Sequence, residues 1–327
     1  TVSLDSEGKL IIDWEPDGHR STHGGDWLHR NRYDDAARDA RRPRPVLWNA
    51  AAMTDPPRVS FDAARHDEGA RMTLYRAVRD HGFCVVEGGP AEPNGLLETA
   101  KLMGAVSEAA YGAVFDLSPA NTIGTLGATF HEVPPHTDEP FRYMPPGLLI
   151  LGCVRPAEKG GDTILVDGFQ IAETLRDEAP DAFALLCEPN HVFVRYHAGK
   201  LDERMRGKVI SRDDRGAVCG IRLHTRSTAP LDVPSDLVPA YFAAHRALVA
   251  KAMAPENQLR LRLGAGDVAV LDNHRVLHSR TAFTDSRRFL QTSSVLREDF
   301  HENLRLLAAK LGFQDEADQA LPSGAVC

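Results

Sequence analysis

Residues 136–138 read His136-Thr137-Asp138, and another histidine, His278, stands 140 residues beyond Asp138. Side chains two apart on a strand share one face, so His136 and Asp138 can converge on a single ion if this segment is extended. A second histidine from a distant strand then completes a three-ligand face. Two imidazoles and one carboxylate so arranged leave coordination positions open, the pattern of non-heme iron(II) oxygenases. Zinc hydrolases use similar sets, so these three residues alone leave the metal undecided. With 14 histidines in the chain, an HxD match by itself is weak, and its weight depends on what surrounds it.

The surroundings read as strands. Leu148–Val154 is a continuous apolar run, Thr163–Val166 another, and Val192–Val194, Val209–Ile210 and Val218–Leu223 follow the period of sheet strands. Gly264-Ala265-Gly266-Asp267 is a tight turn into Val268–Leu271. Helices flank them. Ala70–Asp80 is amphipathic and leads through His81-Gly82 into the buried strand Phe83–Val86, a helical pair covers Phe169–Leu186, and Ser235 is placed to cap a helix over Asp236–Met253. The expected fold class is mostly β with flanking helices (α+β), a sandwich or barrel and not alternating β/α units.

Ahead of this body, residues 1–34 read as a small β unit: a turn at Asp5–Lys9, a strand Leu10–Trp14, and a turn at Pro16-Asp17-Gly18 into a second strand, closed by Trp27-Leu28. An arginine-rich stretch follows. The expected organisation is residues 1–34 as a partial accessory domain, 35–57 as linker and 58–327 as the main domain.

Bulk composition narrows the partners. Net charge is −8 without a long basic run, which argues against nucleic acid and anionic membranes. No apolar run reaches the ~18 residues of a membrane helix and no signal peptide opens the sequence. Cys84, Cys153, Cys187, Cys219 and Cys327 are odd in number, with no CxxC pair, which fits a reducing, cytoplasmic compartment.

Two further features turn the triad toward a cosubstrate. Arg288 lies ten residues past His278 and precedes Phe289-Leu290, so one of Arg287 and Arg288 should point inward, where a guanidinium fork suits a carboxylate. Gly160-Gly161-Asp162-Thr163 allows a tight turn that sets a hydroxyl, Thr163, near a bound carboxylate.

Over residues 58–312 these segments, with Pro145-Pro146-Gly147, Val166-Asp167-Gly168 and Asp272-Asn273-His274-Arg275-Val276-Leu277-His278-Ser279-Arg280, resemble the taurine dioxygenase superfamily of Fe(II)/2-oxoglutarate oxygenases. The likeness is greatest to its gamma-butyrobetaine hydroxylase and trimethyllysine hydroxylase branch. The resemblance implies a double-stranded β-helix (jelly-roll) core, iron ligands His136, Asp138 and His278, and 2-oxoglutarate held by Arg288 and Thr163. It also implies a homodimer, and hydroxylation, desaturation or rearrangement at an aliphatic C–H of a small polar, amine- or betaine-containing metabolite with dioxygen. The carboxylate of Asp138 argues against halogenation. Tyr111 and Phe115 match two rings of an aromatic cage and Asn121 a nearby polar contact, whereas Glu139 and Ser294 stand where that branch carries aromatic residues. Glu139, Tyr143 and Arg222 complete the substrate candidates, with Phe141, Arg142, Arg195, Tyr196 and Arg226 as further pocket residues. His19 matches the histidine of a structural zinc site in the branch's accessory domain, but its cysteine partners are absent from this chain, so a structural zinc is not supported. A non-catalytic metal-binding jelly-roll and a zinc-dependent hydrolase are the competing readings.

Overall fold

The computed structural model describes residues 1–42, 44–119 and 126–318. Its centre is a pair of facing sheets. The larger runs, in spatial order, Arg58–Ser60, Phe83–Glu87, Val268–Asp272, Leu148–Arg155, Phe289–Val295 and Val106–Ser107, with Val114–Leu117 also pairing Phe289–Val295. The smaller runs Leu259–Leu261, Thr163–Asp167, Val276–Arg280 and Val133–His136. Apart from the parallel pair at Arg58–Ser60, the pairings within both sheets are antiparallel. This is the expected jelly-roll arrangement, without a closed barrel.

The alternation of side chains along each strand explains the layers. Leu148, Ile150, Val268 and Val270 face outward against the helices Glu68–His81, Leu96–Met103 and Arg297–Lys310. Leu149, Leu151, Ala269 and Leu271 face inward, where they meet Leu165, Leu259, Leu261 and Val276 of the smaller sheet. On that sheet's outer side Val166 and Leu277 pack with the helices Gly168–Glu178, Pro180–Leu186 and Val238–Met253. Strands buried on both faces read as unbroken apolar runs, which is why Leu148–Val154 shows no polar alternation.

Some local expectations are corrected. Ser235 does not cap the long helix: the chain turns at Pro234–Leu237, the Leu237 N–H donating to the Pro234 carbonyl, and the helix starts at Val238 with Pro239 in its first turn and no side-chain cap. Residues 1–34 hold three strands, Val2–Leu4, Leu10–Asp13 and Arg20–His23, and Trp27-Leu28 lies in a short helix, Gly25–Arg30. Within the expected linker, Asp34 caps a helix, Asp35–Ala40, and Trp48 and Met53 are buried in the inter-sheet core. Among the described residues no helix is long and apolar enough to cross a membrane.

Candidate active site

The two inner faces converge on one cavity. His136 ends its strand directly opposite His278 on the neighbouring strand, and His278 faces Leu165 on its other side. Thr163, two residues before Leu165 and therefore on the same face, lies opposite Arg280 and is buried. From the larger sheet Leu149, Leu151, Thr292 and Ser294 reach the same space, with Arg288 at the entrance of its strand.

Asp138 follows the strand of His136, and its backbone is gripped from both sides. The Asp138 N–H donates to Asn273 Oδ1 at 2.7 Å, and Asn273 Nδ2 donates to the carbonyls of Asp138 and Pro146, each at 3.0 Å. Between the two ligands, the Thr137 N–H donates to the Leu223 carbonyl while its hydroxyl accepts the Leu223 N–H. Each of His136, Asp138 and His278 offers one ligand atom within 4.8 Å of the other two, and among the described residues they form the one such metal-capable group. Asp138 Oδ1 lies 3.4 Å from His136 Nε2 and 3.7 Å from His278 Nε2. His136 Nδ1 is 2.9 Å from the Pro134 carbonyl, which fixes the proton on Nδ1 and leaves the Nε2 lone pair toward Asp138.

Protonation states suit metal binding. Burial, with the neighbouring His136 imidazole, pushes His278 down to about 3, so it is neutral at ordinary pH. Burial also works against the charge on Asp138, but His278 and His136 outweigh it and hold the carboxyl below the usual carboxylate range. Two imidazole nitrogens and an ionised carboxylate are a fitting donor set for iron(II).

Arg288 supplies the second test of fit. It is 2% exposed, and among the described residues its Nε and Nη1 atoms are buried without a partner and Nη2 has only the Gly161 carbonyl at 3.4 Å. Its guanidinium carbon lies 4.8 Å from the Phe283 ring centroid, and burial pushes its pKa down to about 10. A buried cation with open donors is costly unless an anion completes it. A carboxylate of a cosubstrate in the same cavity fits that requirement. Gly161, at φ +69°, admits the guanidinium: a Cβ there would sit 2.8 Å from Arg288 Nε.

The family model for taurine catabolism dioxygenase TauD, TfdA family matches residues 22–293. The chain belongs to this family. A gamma-butyrobetaine dioxygenase of Pseudomonas sp. (strain AK-1) is 35% identical over 285 residues, covering 86% of this chain and 73% of that protein. The mitochondrial trimethyllysine dioxygenase of Rattus norvegicus is 30% identical over 323 residues, covering 94% and 74%. In fold, the chain is similar to the non-heme iron oxygenase OrfP in complex with Fe and alpha-ketoglutaric acid (TM-score 0.57, 23% identity, 72% of this chain and 82% of that one). An asparagine oxygenase in complex with Fe(II), 2S,3S-3-hydroxyasparagine and succinate is comparable (TM-score 0.56, 22% identity, 72% and 83%). This TauD/TfdA-family protein is thus an iron- and 2-oxoglutarate-dependent oxygenase.

Its substrate candidates divide. Tyr111 and Phe115 line the cavity with their ring centroids 5.1 Å apart, and Glu139 lines it as well, at φ +48°. The Glu139 carboxylate accepts the Ala110 N–H at 3.0 Å and pairs with Arg142; burial raises its pKa against those two contacts. Phe141, Arg195, Arg226 and Ser294 also reach the cavity. Tyr143 is 80% exposed and outside the lining, as is Tyr196. Arg222 is buried but turns its guanidinium toward the carbonyls of Arg142 and Tyr143, because the chain folds back over it there. Asn121 lies outside the described residues.

Sequence reasoning missed His224, whose ring stands edge-on to His136 at 5.0 Å and whose pKa burial holds well below the ordinary value. It has no spacing partner in the sequence to mark it. Arg280 was quoted in a motif without a role; it donates to the carbonyls of Gly127 at 2.8 Å and Thr129 at 2.9 Å, and to that of His131, tying residues 127–131 to the cavity wall.

Proposed function

We propose that His136, Asp138 and His278 hold the iron, that Arg288 and Thr163 hold 2-oxoglutarate, and that the enzyme oxidises an aliphatic C–H of a small polar, amine-containing metabolite. The observation that carries this reading is the buried Arg288 guanidinium, its Nε and Nη1 unpartnered among the described residues, in the same cavity as the three ligands. A metal-binding jelly-roll without catalysis, or a hydrolase, has no use for such an anion anchor.

When bound, iron(II) and 2-oxoglutarate supply the oxidative chemistry: dioxygen is reduced as 2-oxoglutarate is cleaved to succinate and carbon dioxide, and one oxygen atom becomes available to the substrate C–H. The chain's own work is positional. Asn273 fixes the Asp138 backbone and the Pro134 carbonyl fixes the His136 ring, so the ligand face is set before anything binds. Leu149, Leu151 and Phe141 make the cavity walls apolar and keep water from the reacting carbon. Glu139 offers a carboxylate beside the rings of Tyr111 and Phe115, which supports an amine on the substrate.

We place this oxygenase unit at residues 58–327 with residues 35–57 tied onto it, and the enzyme in the cytoplasm, a reading supported by the free, buried thiols of Cys84, Cys153 and Cys187.

Anaerobic addition of Fe(II) and 2-oxoglutarate is the test. A weak visible charge-transfer band is expected, absent in His136→Ala and weakened in Arg288→Ala. No band, together with no succinate from any candidate substrate in air, overturns the reading.

A further inference from the structure

Arg280 ends the strand Val276–Arg280 that carries His278, and it faces Thr163 on the neighbouring strand. Its side chain is buried, with the residue 7% exposed. The guanidinium is spent on three backbone carbonyls: Nη1 donates to Gly127, and Nη2 to Thr129 and His131. Among the described residues its Nε atom is buried without a partner. Carbonyl dipoles offset only part of the cost of a buried charge. Phe283 joins this arginine to the cosubstrate anchor. The guanidinium carbons of Arg280 and Arg288 each lie 4.8 Å from the Phe283 ring centroid, so the two charges stand less than about 10 Å apart, within one screening length at ordinary salt. The Phe283 ring also meets that of Phe130 at 5.4 Å between centroids, and the Phe283 N–H donates to the Phe130 carbonyl at 3.1 Å. Residues 126–131 are thus held by Arg280 and Phe283 together. Leu126 and Gly127 of that segment line the cavity, which makes it a roof of the site.

Two like charges that share one ring repel each other, and a carboxylate at Arg288 is felt by both. The effect is reciprocal: whatever Arg280 adds to the anion's hold, the anion returns as stability of Arg280 in its place. We propose that Arg280 is a positioning residue that couples cosubstrate to roof. Its charge raises the affinity of the Arg288 site for 2-oxoglutarate, and bound 2-oxoglutarate in turn steadies residues 126–131 over the cavity through Arg280. The two roles separate by chemistry. Affinity needs only the positive charge, which a lysine also carries, whereas spanning three carbonyls needs the planar fork of an arginine. This rests on the oxygenase reading above, in which Arg288 holds 2-oxoglutarate.

The test makes two measurements on the whole chain, loaded with Fe(II) and kept anaerobic. One is titration with 2-oxoglutarate, read from the charge-transfer band; the other is amide hydrogen exchange of residues 126–131. In the unaltered enzyme, saturating 2-oxoglutarate is expected to slow exchange in that segment about tenfold. Arg280→Gln should raise the dissociation constant for 2-oxoglutarate about tenfold and leave the segment exchanging fast with or without it. Arg280→Lys should keep that constant within about threefold of the unaltered value, while the segment still exchanges fast. A merely structural arginine would make the two variants alike. Exchange at 126–131 that is indifferent to 2-oxoglutarate in the unaltered enzyme overturns the proposal without recourse to any variant. So does a glutamine variant that binds 2-oxoglutarate as the unaltered enzyme does, and so does a lysine variant whose dissociation constant matches that of glutamine. If the unaltered enzyme forms no band at all, the oxygenase reading fails and takes this proposal with it; a normal band without the change in exchange sinks this proposal alone.

Discussion

Arg275 and Asp167 form a two-pronged ion pair sealed from solvent: Arg275 Nε and Nη2 donate to Asp167 Oδ1 and Oδ2 at 3.0 and 2.8 Å, with side chains 2% and 0% exposed. The pair joins the strand that ends in Asp167 to the turn that precedes Val276–Arg280. Arg275 also donates to the carbonyls of Asp80 and Val46, and Asp167 accepts the N–H groups of Trp48 and Phe169. Removing one partner strands a buried charge. Arg275→Ala is expected to cost about 3–5 kcal/mol in urea unfolding, and Arg275→Met with Asp167→Asn together less than the two changes summed. Strict additivity would contradict the coupling.

Asn273 should govern metal affinity without touching the metal. In Asn273→Ala the Asp138 backbone loses its clamp on both sides. Iron(II) affinity, read from the anaerobic charge-transfer titration, is expected to fall about 10–100-fold, with the circular dichroism spectrum retained. An unchanged midpoint would show that Asp138 is held in place by other contacts.

Gly161 is predicted to set cosubstrate affinity. An alanine there meets Arg288 Nε and must adopt a left-handed backbone, a strain of ~1–2 kcal/mol before the guanidinium moves at all. Succinate production by Gly161→Ala should show a KM for 2-oxoglutarate raised about tenfold, with substrate KM little altered. A shift in substrate KM alone would place Arg288 in a different role.

Acid should weaken the fold well away from the iron. His191 bonds Tyr241 and Thr228 through its two ring nitrogens, and burial pushes its pKa down to about 3 from an ordinary 6.5. Below pH 6.5 the unfolded chain takes up a proton that folded His191 refuses until about pH 3. Its contribution is therefore fully present above 6.5 and is lost as pH falls toward 3, at up to about 1.4 kcal/mol per pH unit. Urea midpoints measured across that range should fall less steeply in His191→Gln. An identical slope would remove His191 as a source.

What was legible in the sequence was whatever repeats with the period of a strand or sits in a rigid spacing. The run Leu148–Val154 and the outward-or-inward choice at Arg288 follow from side-chain alternation, a local property of the chain; the triad was legible as a spacing, although Asp138 lies past the end of the strand of His136 and is set by Asn273 instead. The Trp48 anchor was not legible, since its partners, the His81 carbonyl and Asp167, are far away in sequence. His224 was missed for a similar reason, because its ring finds His136 only after the strand Val218–Ile221 is laid beside the site. The failed cap at Ser235 shows a local rule overridden by a local competitor, the turn at Pro234. Arg195 and Tyr111 were each named as pocket residues, but that one would satisfy the other depended on geometry no spacing encodes.

The facing of His278 and His136 across adjacent strands has a practical consequence for anyone preparing this enzyme. Shifting that pairing by a single residue would turn an imidazole away from the inner face and dismantle the ligand set, even in a chain that still looked well folded by secondary-structure content. Iron bound per polypeptide is therefore a headcount of correctly registered molecules, a quality measure that a spectrum averaged over helices and strands cannot provide.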